Sequence, residues 1–391
     1  MSADLDRIRA KVERGERLDA NDGLSLFMEP DLLAVGALAH AVRERMHGDR
    51  AYFNRNMRVE LTNVCEAECR FCAFARLEAG APGSRTLTVE QAIARVRDNP
   101  DPQLTEVHMV NGHHPGLSFE TYEAVLRGWR EVRPSVHRKC FTAAEIFFFA
   151  KRYEMSVERV LARLIDAGLQ SLPGGGAEIF HPEVRPRISK GKCTGDEWLE
   201  VMRSVHAAGL HSNCTMLYGH VETFAHRVHH MLELRKLQDE SLARARGHFQ
   251  AFIPLAFHPD HGPMAKLPAP TGIDDLRCIA VARLLLDNVP HIKSYWVSST
   301  PKVAQIALRF GADDIDGTIV HETIYHDAGS TSPQGLSRDE LVRLVWEAGC
   351  TAVERDTLYR PLEVMPRPAA PEASLPMRER PRVRRLAVME G

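Results

Sequence analysis

Hydrophobic residues follow two alternating patterns over most of this chain. Short runs rich in Val, Ile, Leu and Phe alternate with longer stretches in which apolar residues return every three or four positions. The short runs are typical of buried strands, and the longer stretches are typical of amphipathic helices. The predicted strands are residues 59–62, 106–110, 137–141, 169–172, 211–217, 249–257, 291–297 and 313–318. The predicted helices are residues 89–97, 119–131, 157–167, 196–207, 223–240, 273–288, 302–310 and 338–348.

The alternation of strands and helices indicates the fold class. Repeats of this kind form parallel βαβ units, and this number of them predicts an α/β fold, a (β/α)8 barrel of the TIM type. An open barrel of about six units with appendages is the alternative. In either barrel, we expect the chemistry at the loops that follow the carboxyl ends of the strands.

The two ends of the chain depart from this alternation. Residues 1–50 show helical spacing over 4–14 and 31–46, which predicts an N-terminal helical extension that caps one end of the barrel. Residues 51–360 would form the barrel itself. Residues 361–391 are rich in Pro and Arg, and such a segment buries too little apolar surface to order itself. We therefore predict a flexible C-terminal tail.

Composition and charge narrow the possible functions. The chain has 391 residues, of which 44% are hydrophobic, so it can form a large core. Its net charge of −2 gives no support for a nucleic-acid partner or for binding to an anionic membrane. The N-terminus lacks the apolar core of a signal peptide, and the most apolar stretches are too short to cross a bilayer. The sequence therefore predicts a cytoplasmic protein that binds neither nucleic acid nor membrane.

Three cysteines with C-x3-C-x2-C spacing are the strongest chemical signal. Cys65, Cys69 and Cys72 follow the first predicted strand, and no fourth cysteine lies nearby. An iron–sulfur cube normally takes four protein ligands, so three thiolates would leave one iron open to another molecule. A zinc site completed by a distant His or Cys is less favoured, because zinc sites usually include a second pair of ligands. We expect the remaining cysteines to be buried apolar residues: Cys140, Cys193, Cys214, Cys278 and Cys350.

At these cysteines the chain resembles the radical S-adenosylmethionine (SAM) superfamily. The hallmark of that superfamily is this spacing with an aromatic residue before the last cysteine, here Phe71, which we include among the cofactor-binding candidates. The resemblance implies a [4Fe–4S] cluster held by Cys65, Cys69 and Cys72, with SAM as a co-substrate on the open iron. It also implies that an electron donor such as flavodoxin or ferredoxin reduces the cluster, which then cleaves SAM to a 5′-deoxyadenosyl radical.

Further motifs narrow the resemblance to the aminofutalosine synthase family of the futalosine route to menaquinone. The match covers roughly residues 5–360. Its motifs are FTAAEI (141–146), SLPGGGAEIFHPEVRPRI (171–188), NCTMLYGHVET (213–223), LQDE (237–240), FIPLAFHPD (252–260), GADDIDGT (311–318) and VERDTLY (353–359). The stretch SLPGGGAEI is shared with a cyclase of the same pathway, whereas LYGHVET and FIPLAFHP fit the synthase better.

The resemblance implies an addition reaction. The adenosyl radical would add to the enol ether of 3-[(1-carboxyvinyl)oxy]benzoate, and rearrangement and decarboxylation would give 6-amino-6-deoxyfutalosine and methionine. The alternative in the superfamily is a hydrogen-abstracting enzyme similar to cyclic dehypoxanthine futalosine synthase, which would make 5′-deoxyadenosine. An iron–sulfur electron carrier is the alternative from another class, and the glycine-rich loop, which resembles a SAM-binding loop, argues against it.

The resemblance also implies which residues bind SAM. Asn111 and Gly112 stand where the superfamily has a Gly-Gly-Glu-like motif, and Asn tolerates the positive φ of such a loop. Glu178, after three glycines, is the candidate for the ribose hydroxyls, with helix capping as the alternative. Arg185 and Arg187 are candidates for the SAM carboxylate, because an Arg fork suits a carboxylate; one of the two would then be a surface charge.

The substrate brings two carboxylates, so its pocket requires cations, hydroxyls or amide donors. The candidate substrate-binding residues, at or near the ends of predicted strands, are Thr142, Asn213, Thr215, Tyr218 and His258. The catalytic candidates are His220 and Glu145, and His220 would bind a substrate carboxylate or transfer a proton. The alternative for each histidine is a structural side chain with satisfied hydrogen bonds.

Overall fold

Parallel strands surround a central axis in the computed structural model, which describes residues 2–260 and 262–368. The strands of the described residues are β1 Arg50–Asn54, β2 Asn56–Arg58, β3 Glu68–Cys69, β4 Glu106–Met109, β5 His137–Cys140, β6 Ser171–Leu172, β7 Ser189–Lys190, β8 His211–Tyr218, β9 Phe249–Ala256, β10 His291–Ile292, β11 Asp314–Gly317, β12 Thr351–Arg355 and β13 Pro361–Met365. The helices are α1 Ala3–Glu13, α2 Ala20–Met28, α3 Leu32–His47, α4 Val89–Arg97, α5 Phe119–Val132, α6 Ala143–Arg152, α7 Val157–Ala167, α8 Arg185–Ile188, α9 Gly195–Ala207, α10 Phe224–Arg244, α11 Gly272–Leu285, α12 Trp296–Ser299, α13 Pro301–Ala307, α14 Ile324–Asp327 and α15 Arg338–Glu347.

The barrel combines a seven-stranded sheet with one strand of a second sheet. The first sheet has the order β10-β9-β8-β6-β5-β4-β2, and all of its pairs are parallel. Parallel bridges from Lys293 to Asp314 and from Met57 to Val320 connect its two edges to β11 and to the residues that follow β11. This arrangement confirms the predicted TIM-type α/β fold class.

Local sequence accounts for the starts of most outer helices. In α9, the Thr194 hydroxyl accepts a hydrogen bond from the Glu197 amide, and the Glu197 carboxylate accepts one from the Thr194 amide. This capping box satisfies amides that a helix leaves unpaired, and α4, α6, α10, α11 and α15 begin in the same way. The helices predicted at 89–97 and 157–167 coincide with α4 and α7. Within the described part of the chain, no helix is both long and apolar enough to cross a membrane.

Two predicted strands differ from the structure. The first strand is predicted at 59–62, whereas the paired strands lie earlier, in β1 and β2; the Val59 amide still donates to the His108 carbonyl, but residues 59–62 form no strand. The strand expected at 291–297 ends at Ile292, and the buried Trp296 and Val297 belong to the short helix α12. A short buried apolar run has no periodicity that separates strand from helix.

The chain ends also differ in part from the predictions. The helix α3 packs against α11, and α2 packs against α10 and α11, so the N-terminal helices cover outer helices of the barrel. Within the predicted tail, residues 361–365 form β13, which pairs antiparallel with β12. Composition does not reveal this pairing, because the partner strand supplies the backbone hydrogen bonds, and Pro361 is tolerated as the first residue of an edge strand. The rest of the predicted tail, from 369 to 391, lies outside the described residues.

Candidate active site

A cavity of about 280 Å³ lies at the carboxyl ends of the barrel strands. Its walls come from β8 and β9 and from the loops after β2, β4, β5, β6, β10 and β11. The predicted site residues that line it are Cys65, Cys69, Phe71, Cys72, Asn111, Gly112, Thr142, Glu145, Glu178, Asn213, Thr215 and His258. Residues far apart in the sequence therefore meet at the face where barrel enzymes place their chemistry.

The three motif cysteines lie on one loop that faces the cavity. Cys65, Cys69 and Cys72 carry free thiols, and all three line the cavity. Pairing of Cys69 with Ser189 in β7 fixes the middle of the loop. Burial raises the pKa of the Cys69 thiol to about 12, so metal binding there must displace a thiol proton. Three thiols beside an open cavity fit a cube that keeps one iron for another ligand.

The residues after β4 hold the cysteine loop against the barrel. A side chain at Gly112 would overlap the carbonyl of Val64 and press on Cys65, so only glycine allows this close approach. The Asn111 side-chain oxygen accepts a hydrogen bond from the Leu61 amide at 2.7 Å. The Asn111 backbone amide and Nδ2 donate to Glu145 at 3.0 and 3.1 Å. Asn111, the departure from the superfamily motif, thus connects the loop after β2 to α6.

Glu145, a catalytic candidate, lines the cavity and hydrogen-bonds to the chain around it. Its Oε1 accepts the two hydrogen bonds from Asn111, and its Oε2 accepts one from the Thr142 amide at 2.8 Å. Burial raises the pKa of Glu145 to about 7, despite these hydrogen bonds. The Glu145 carboxylate thus completes the capping box at the start of α6 and links this helix to Asn111.

Glycines after β6 bring a second loop close to its neighbours. A side chain at Gly174 would overlap the backbone of Cys214 in β8, and Gly176 has a φ of +81° and lies against Ala144. The Thr215 hydroxyl donates to the Gly174 carbonyl at 2.8 Å. The loop is therefore held tightly between α6 and β8, with its backbone exposed to the cavity.

Arg185 supports this loop from behind and does not line the cavity, so the prediction that it contacts the SAM carboxylate is not supported. Its guanidinium donates to the carbonyls of Gly176, Ala177 and Cys193 at 2.9, 2.6 and 2.6 Å. Arg185 is only 4% exposed. Sequence alone does not show on which side of a loop an arginine lies.

Glu178, Lys192 and Phe71 form one wall of the cavity. Lys192 donates from Nζ to Glu178 Oε1 at 2.6 Å and lies 5.6 Å from the centre of the Phe71 ring. Burial raises the pKa of Glu178, but the charges of Lys192 and Arg185 outweigh burial, and the pKa stays below its ordinary value. Glu178 has a φ of +44°, an uncommon conformation for a residue with a side chain. This wall places an ion pair beside the cysteine loop.

Asn213 and His258 offer unused polar groups to a ligand. The Asn213 side-chain oxygen is buried without a hydrogen-bond partner in the described part of the protein, and Asn213 lines the cavity. Such a group normally has a partner, so a bound ligand with a donor would satisfy it. One ring nitrogen of His258, Nε2, lies 2.8 Å from the Ser298 carbonyl, which orients the ring. These residues fit a polar ligand such as SAM or the substrate.

Tyr218, His220 and Arg187 do not line the cavity, so the predicted ligand contacts of Tyr218 and His220 are not supported, and Arg187 is a surface charge. The Tyr218 hydroxyl donates to Asp275 in α11 at 2.5 Å. Side chains alternate along β8, so Asn213, Thr215 and Leu217 face the cavity and Tyr218 faces outward. The His220 ring nitrogens lie 3.0 Å from the Leu217 carbonyl and 2.7 Å from the Val221 amide, within its own loop. Arg187 is exposed.

Arg185 and Arg187 provide a matched pair for a stability test. We expect Arg185→Met to lower the free energy of unfolding by about 3 kcal/mol, since three carbonyls lose a buried charged donor. Arg187→Met should change it by less than about 0.5 kcal/mol, because the side chain is exposed. Denaturant unfolding under anaerobic conditions measures both, and equal effects would contradict the supporting role of Arg185.

Several residues of the cavity were missed by sequence reasoning. They are Arg58, Glu60, His108, Lys192, Tyr295, Glu322 and Tyr325. Arg58 and Glu60 alternate with the apolar residues Met57, Val59 and Leu61 before the cysteines. A predicted strand that begins a few residues earlier would place both on one face. Lys192, Glu322 and Tyr325 lie in loops or short elements, where no periodic signal exists.

Comparison with known proteins places this chain in a family. Residues 59–234 match the radical SAM superfamily, and residues 245–367 match the CofH/MqnC C-terminal region. The chain is 46% identical over 364 residues to the aminodeoxyfutalosine synthase of Thermus thermophilus, with 92% of this chain and 96% of that protein covered. It is 43% identical to the aminodeoxyfutalosine synthase of Streptomyces coelicolor, with 97% and 100% covered. The chain belongs to the aminodeoxyfutalosine synthase family.

This family is the aminofutalosine synthase family that the sequence motifs indicate, since the two names are synonyms. The resemblance is therefore confirmed. The chain is an enzyme of the radical SAM type, with a [4Fe–4S] cluster and SAM as its cofactors. The cyclic dehypoxanthine futalosine synthase of Halalkalibacterium halodurans is less similar, at 34% identity over 91% of this chain and 94% of that protein.

Solved structures support the same fold. The maturase HydG of the FeFe-hydrogenase has a TM-score of 0.70 and 15% identity, with 92% of this chain and 77% of that chain covered. Methylornithine synthase has a TM-score of 0.63 and 16% identity, with 85% and 90% covered. At these identities the similarity concerns the fold alone.

Proposed function

We propose that this protein joins the adenosyl group of SAM to 3-[(1-carboxyvinyl)oxy]benzoate, with rearrangement and decarboxylation, to give 6-amino-6-deoxyfutalosine and methionine. The observation that carries the proposal is the nearly full-length identity of 46% and 43% to two aminodeoxyfutalosine synthases. The cavity supports it, because three free cysteines and a glycine-rich loop meet there.

In this proposal, Cys65, Cys69 and Cys72 hold the cluster, which supplies the electron that cleaves SAM. Gly112 and Asn111 keep the cysteine loop close to the barrel, and Arg185 and Glu145 act as positioning residues behind the two loops. The roles of Thr142, Asn213, Thr215 and His258 in substrate binding and of Phe71 and Glu178 in SAM binding remain predictions.

Lys192, rather than Arg185 or Arg187, is the cation that we assign to the SAM carboxylate. Its ammonium lines the cavity beside Cys69 and Phe71, where a cation can meet the carboxylate of SAM. Glu178, held at 2.6 Å by Lys192, then accepts from hydroxyl groups of the same ligand. The side-chain polar atoms of Asn111 and Glu145 bind one another and the backbone, so we assign the SAM contacts to Lys192 and Glu178.

A turnover experiment tests the reaction. The reconstituted protein is mixed anaerobically with SAM, dithionite and 3-[(1-carboxyvinyl)oxy]benzoate, and the products are read by mass spectrometry. We expect an adenosyl adduct that has lost carbon dioxide, together with methionine, and no adduct without dithionite. Accumulation of 5′-deoxyadenosine without an adduct would contradict the proposal and favour the hydrogen-abstracting alternative.

A flavodoxin or ferredoxin as the electron donor and a cytoplasmic location are parts of the same proposal. The donor would replace dithionite in the turnover assay. Product formation with a reduced flavodoxin or ferredoxin alone would support this choice, and product formation with dithionite only would contradict it.

A further inference from the structure

The guanidinium of Arg58 lies in the wall of the cavity with few partners. Arg58 is 7% exposed and ends β2, at the carboxyl edge of the barrel. Of its side-chain atoms, Nη1 lies at hydrogen-bond distance from His108 Nδ1, and Nε is buried without a partner among the described residues. The nearest carboxylate oxygen, on Asp316, is 3.6 Å from Nη2, beyond hydrogen-bond distance. A buried guanidinium with five N–H donors normally finds more acceptors than this.

Charges below the cavity leave Arg58 without a full counterion. The barrel interior holds four buried cations and three buried carboxylates that interact as one group. They are Arg58, Lys139, Lys293, Arg355, Glu106, Asp314 and Asp316. Lys139 pairs with Glu106 at 2.7 Å, and Arg355 pairs with Asp314 at 2.6 Å. Lys293 and Arg58 then share Asp316, each at 3.6 Å.

The two other carboxylates of this part of the cavity do not balance Arg58. Glu322 already pairs with His326 at 2.9 Å, and the hydrogen bond to Glu322 raises the pKa of His326 to about 9, so a protonated His326 lies beside Glu322 near neutral pH. Burial and the charge of Glu322 raise the pKa of Glu60 to about 7, so Glu60 carries only part of a negative charge there. The site therefore has a net positive charge that burial makes costly to leave unpaired.

We propose that Arg58 binds a carboxylate of the substrate, with its guanidinium fork directed at the two carboxylate oxygens. Lys192 is the other Lys or Arg side chain of the described cavity lining, and the proposed function already assigns Lys192 to the carboxylate of SAM. Arg58 is thus the cation available to an anionic aromatic ligand. The Arg58 guanidinium carbon lies over the Tyr295 ring, 5.5 Å from its centre, and Tyr295 also lines the cavity. The identity of the substrate rests on the proposed function. The negative charge of the ligand is inferred separately, from the buried positive charge of the cavity.

Calorimetry and steady-state kinetics of the reconstituted protein test this role. We expect Arg58→Met to weaken binding of 3-[(1-carboxyvinyl)oxy]benzoate and to raise its KM about 30-fold, because a charge-assisted contact is lost. Arg58→Lys should recover part of this loss, since an ammonium keeps the charge without the fork. The SAM-induced change in the EPR spectrum of the cluster should stay the same in both variants.

Arg138→Met is the matched control. Arg138 is a buried arginine in β5 whose guanidinium donates to the carbonyls of Val136 and Gly168, away from the cavity. Its loss should lower stability and leave substrate binding within about threefold of the wild type. An Arg58→Met protein that binds the substrate as tightly as the wild type would overturn the inference. If Arg58→Met fails to fold, substrate binding by Arg58→Lys that equals wild-type binding would overturn the inference instead.

A second ligand separates this inference from the proposed function. If the wild-type protein does not convert 3-[(1-carboxyvinyl)oxy]benzoate, the proposed function fails. Binding of isophthalate, a smaller aromatic dianion, still tests Arg58 by the same calorimetry. Weaker isophthalate binding by Arg58→Met would support the inference in that case, and equal or absent binding in wild type and variant would overturn it.

Discussion

Replacement of Cys69 by Ala is expected to abolish cluster assembly and all turnover. Cys69, Cys65 and Cys72 lie on one loop at the cavity, and the C-x3-C-x2-C motif has no nearby fourth cysteine. Three thiolates hold three irons of a cube that normally takes four protein ligands. The loss of the Cys69 thiolate leaves only two cysteine ligands. The loop itself should survive, because the pairing of Cys69 with Ser189 is made by the backbone.

Iron and sulfide content, the absorbance of the cluster and its EPR spectrum measure this loss after anaerobic reconstitution. Cys278→Ala is the matched control, because Cys278 is a buried cysteine of α11 that does not line the cavity. We expect the control to keep the cluster content and turnover of the wild type. A Cys69→Ala protein with a full cluster and full activity would contradict the assignment of the metal ligands.

Replacement of Lys192 by Met is expected to lower the affinity for SAM by at least about 100-fold, with the cluster retained. The variant loses the cation proposed to meet the SAM carboxylate, and it leaves Glu178 buried without the partner now at 2.6 Å. Hydrogen bonds of charged groups contribute roughly 1.5–3 kcal/mol each, and 1.4 kcal/mol corresponds to about a tenfold change in affinity. Lys192→Arg should recover part of the affinity, since the charge is kept.

Titration of the reduced cluster with SAM, followed by EPR, measures this affinity independently of turnover. Lys190→Met is the matched control, because Lys190 lies two residues away but is exposed and pairs with the exposed Glu68. Its affinity for SAM should stay within about twofold of the wild type. Equal SAM affinity in Lys192→Met and wild type would contradict the role of Lys192, whatever the outcome for the cysteines.

Some residues of the family motifs direct their polar atoms to the protein itself rather than to open space in the cavity. Glu145 and Arg185 belong to family motifs, yet the structure directs their polar atoms to the backbone of the two loops. Such residues hold the groups of the cavity in place, and their replacement should act through geometry and stability. A sequence motif therefore marks the site as a whole, without showing which of its residues face the cavity.

The sequence by itself determined the α/β barrel, the bounds of helices such as α4 and α7, and the cysteine loop with its cofactor. These features depend on neighbours along the chain: the periodicity of apolar residues, capping boxes such as Thr194 with Glu197, and the spacing of the cysteines. The order of strands follows from the alternation, because parallel strands joined by helices become neighbours.

Only the tertiary structure decided which polar side chains face the cavity. The strand β13 depends on pairing with β12, and Tyr218 faces α11 because the neighbouring residues Thr215 and Leu217 take the inner face of β8. Lys192 meets Glu178 across a loop. The unbalanced charge of Arg58 arises from residues of several distant strands. Such contacts depend on the path of loops and on the sum of buried charges, which no local propensity encodes.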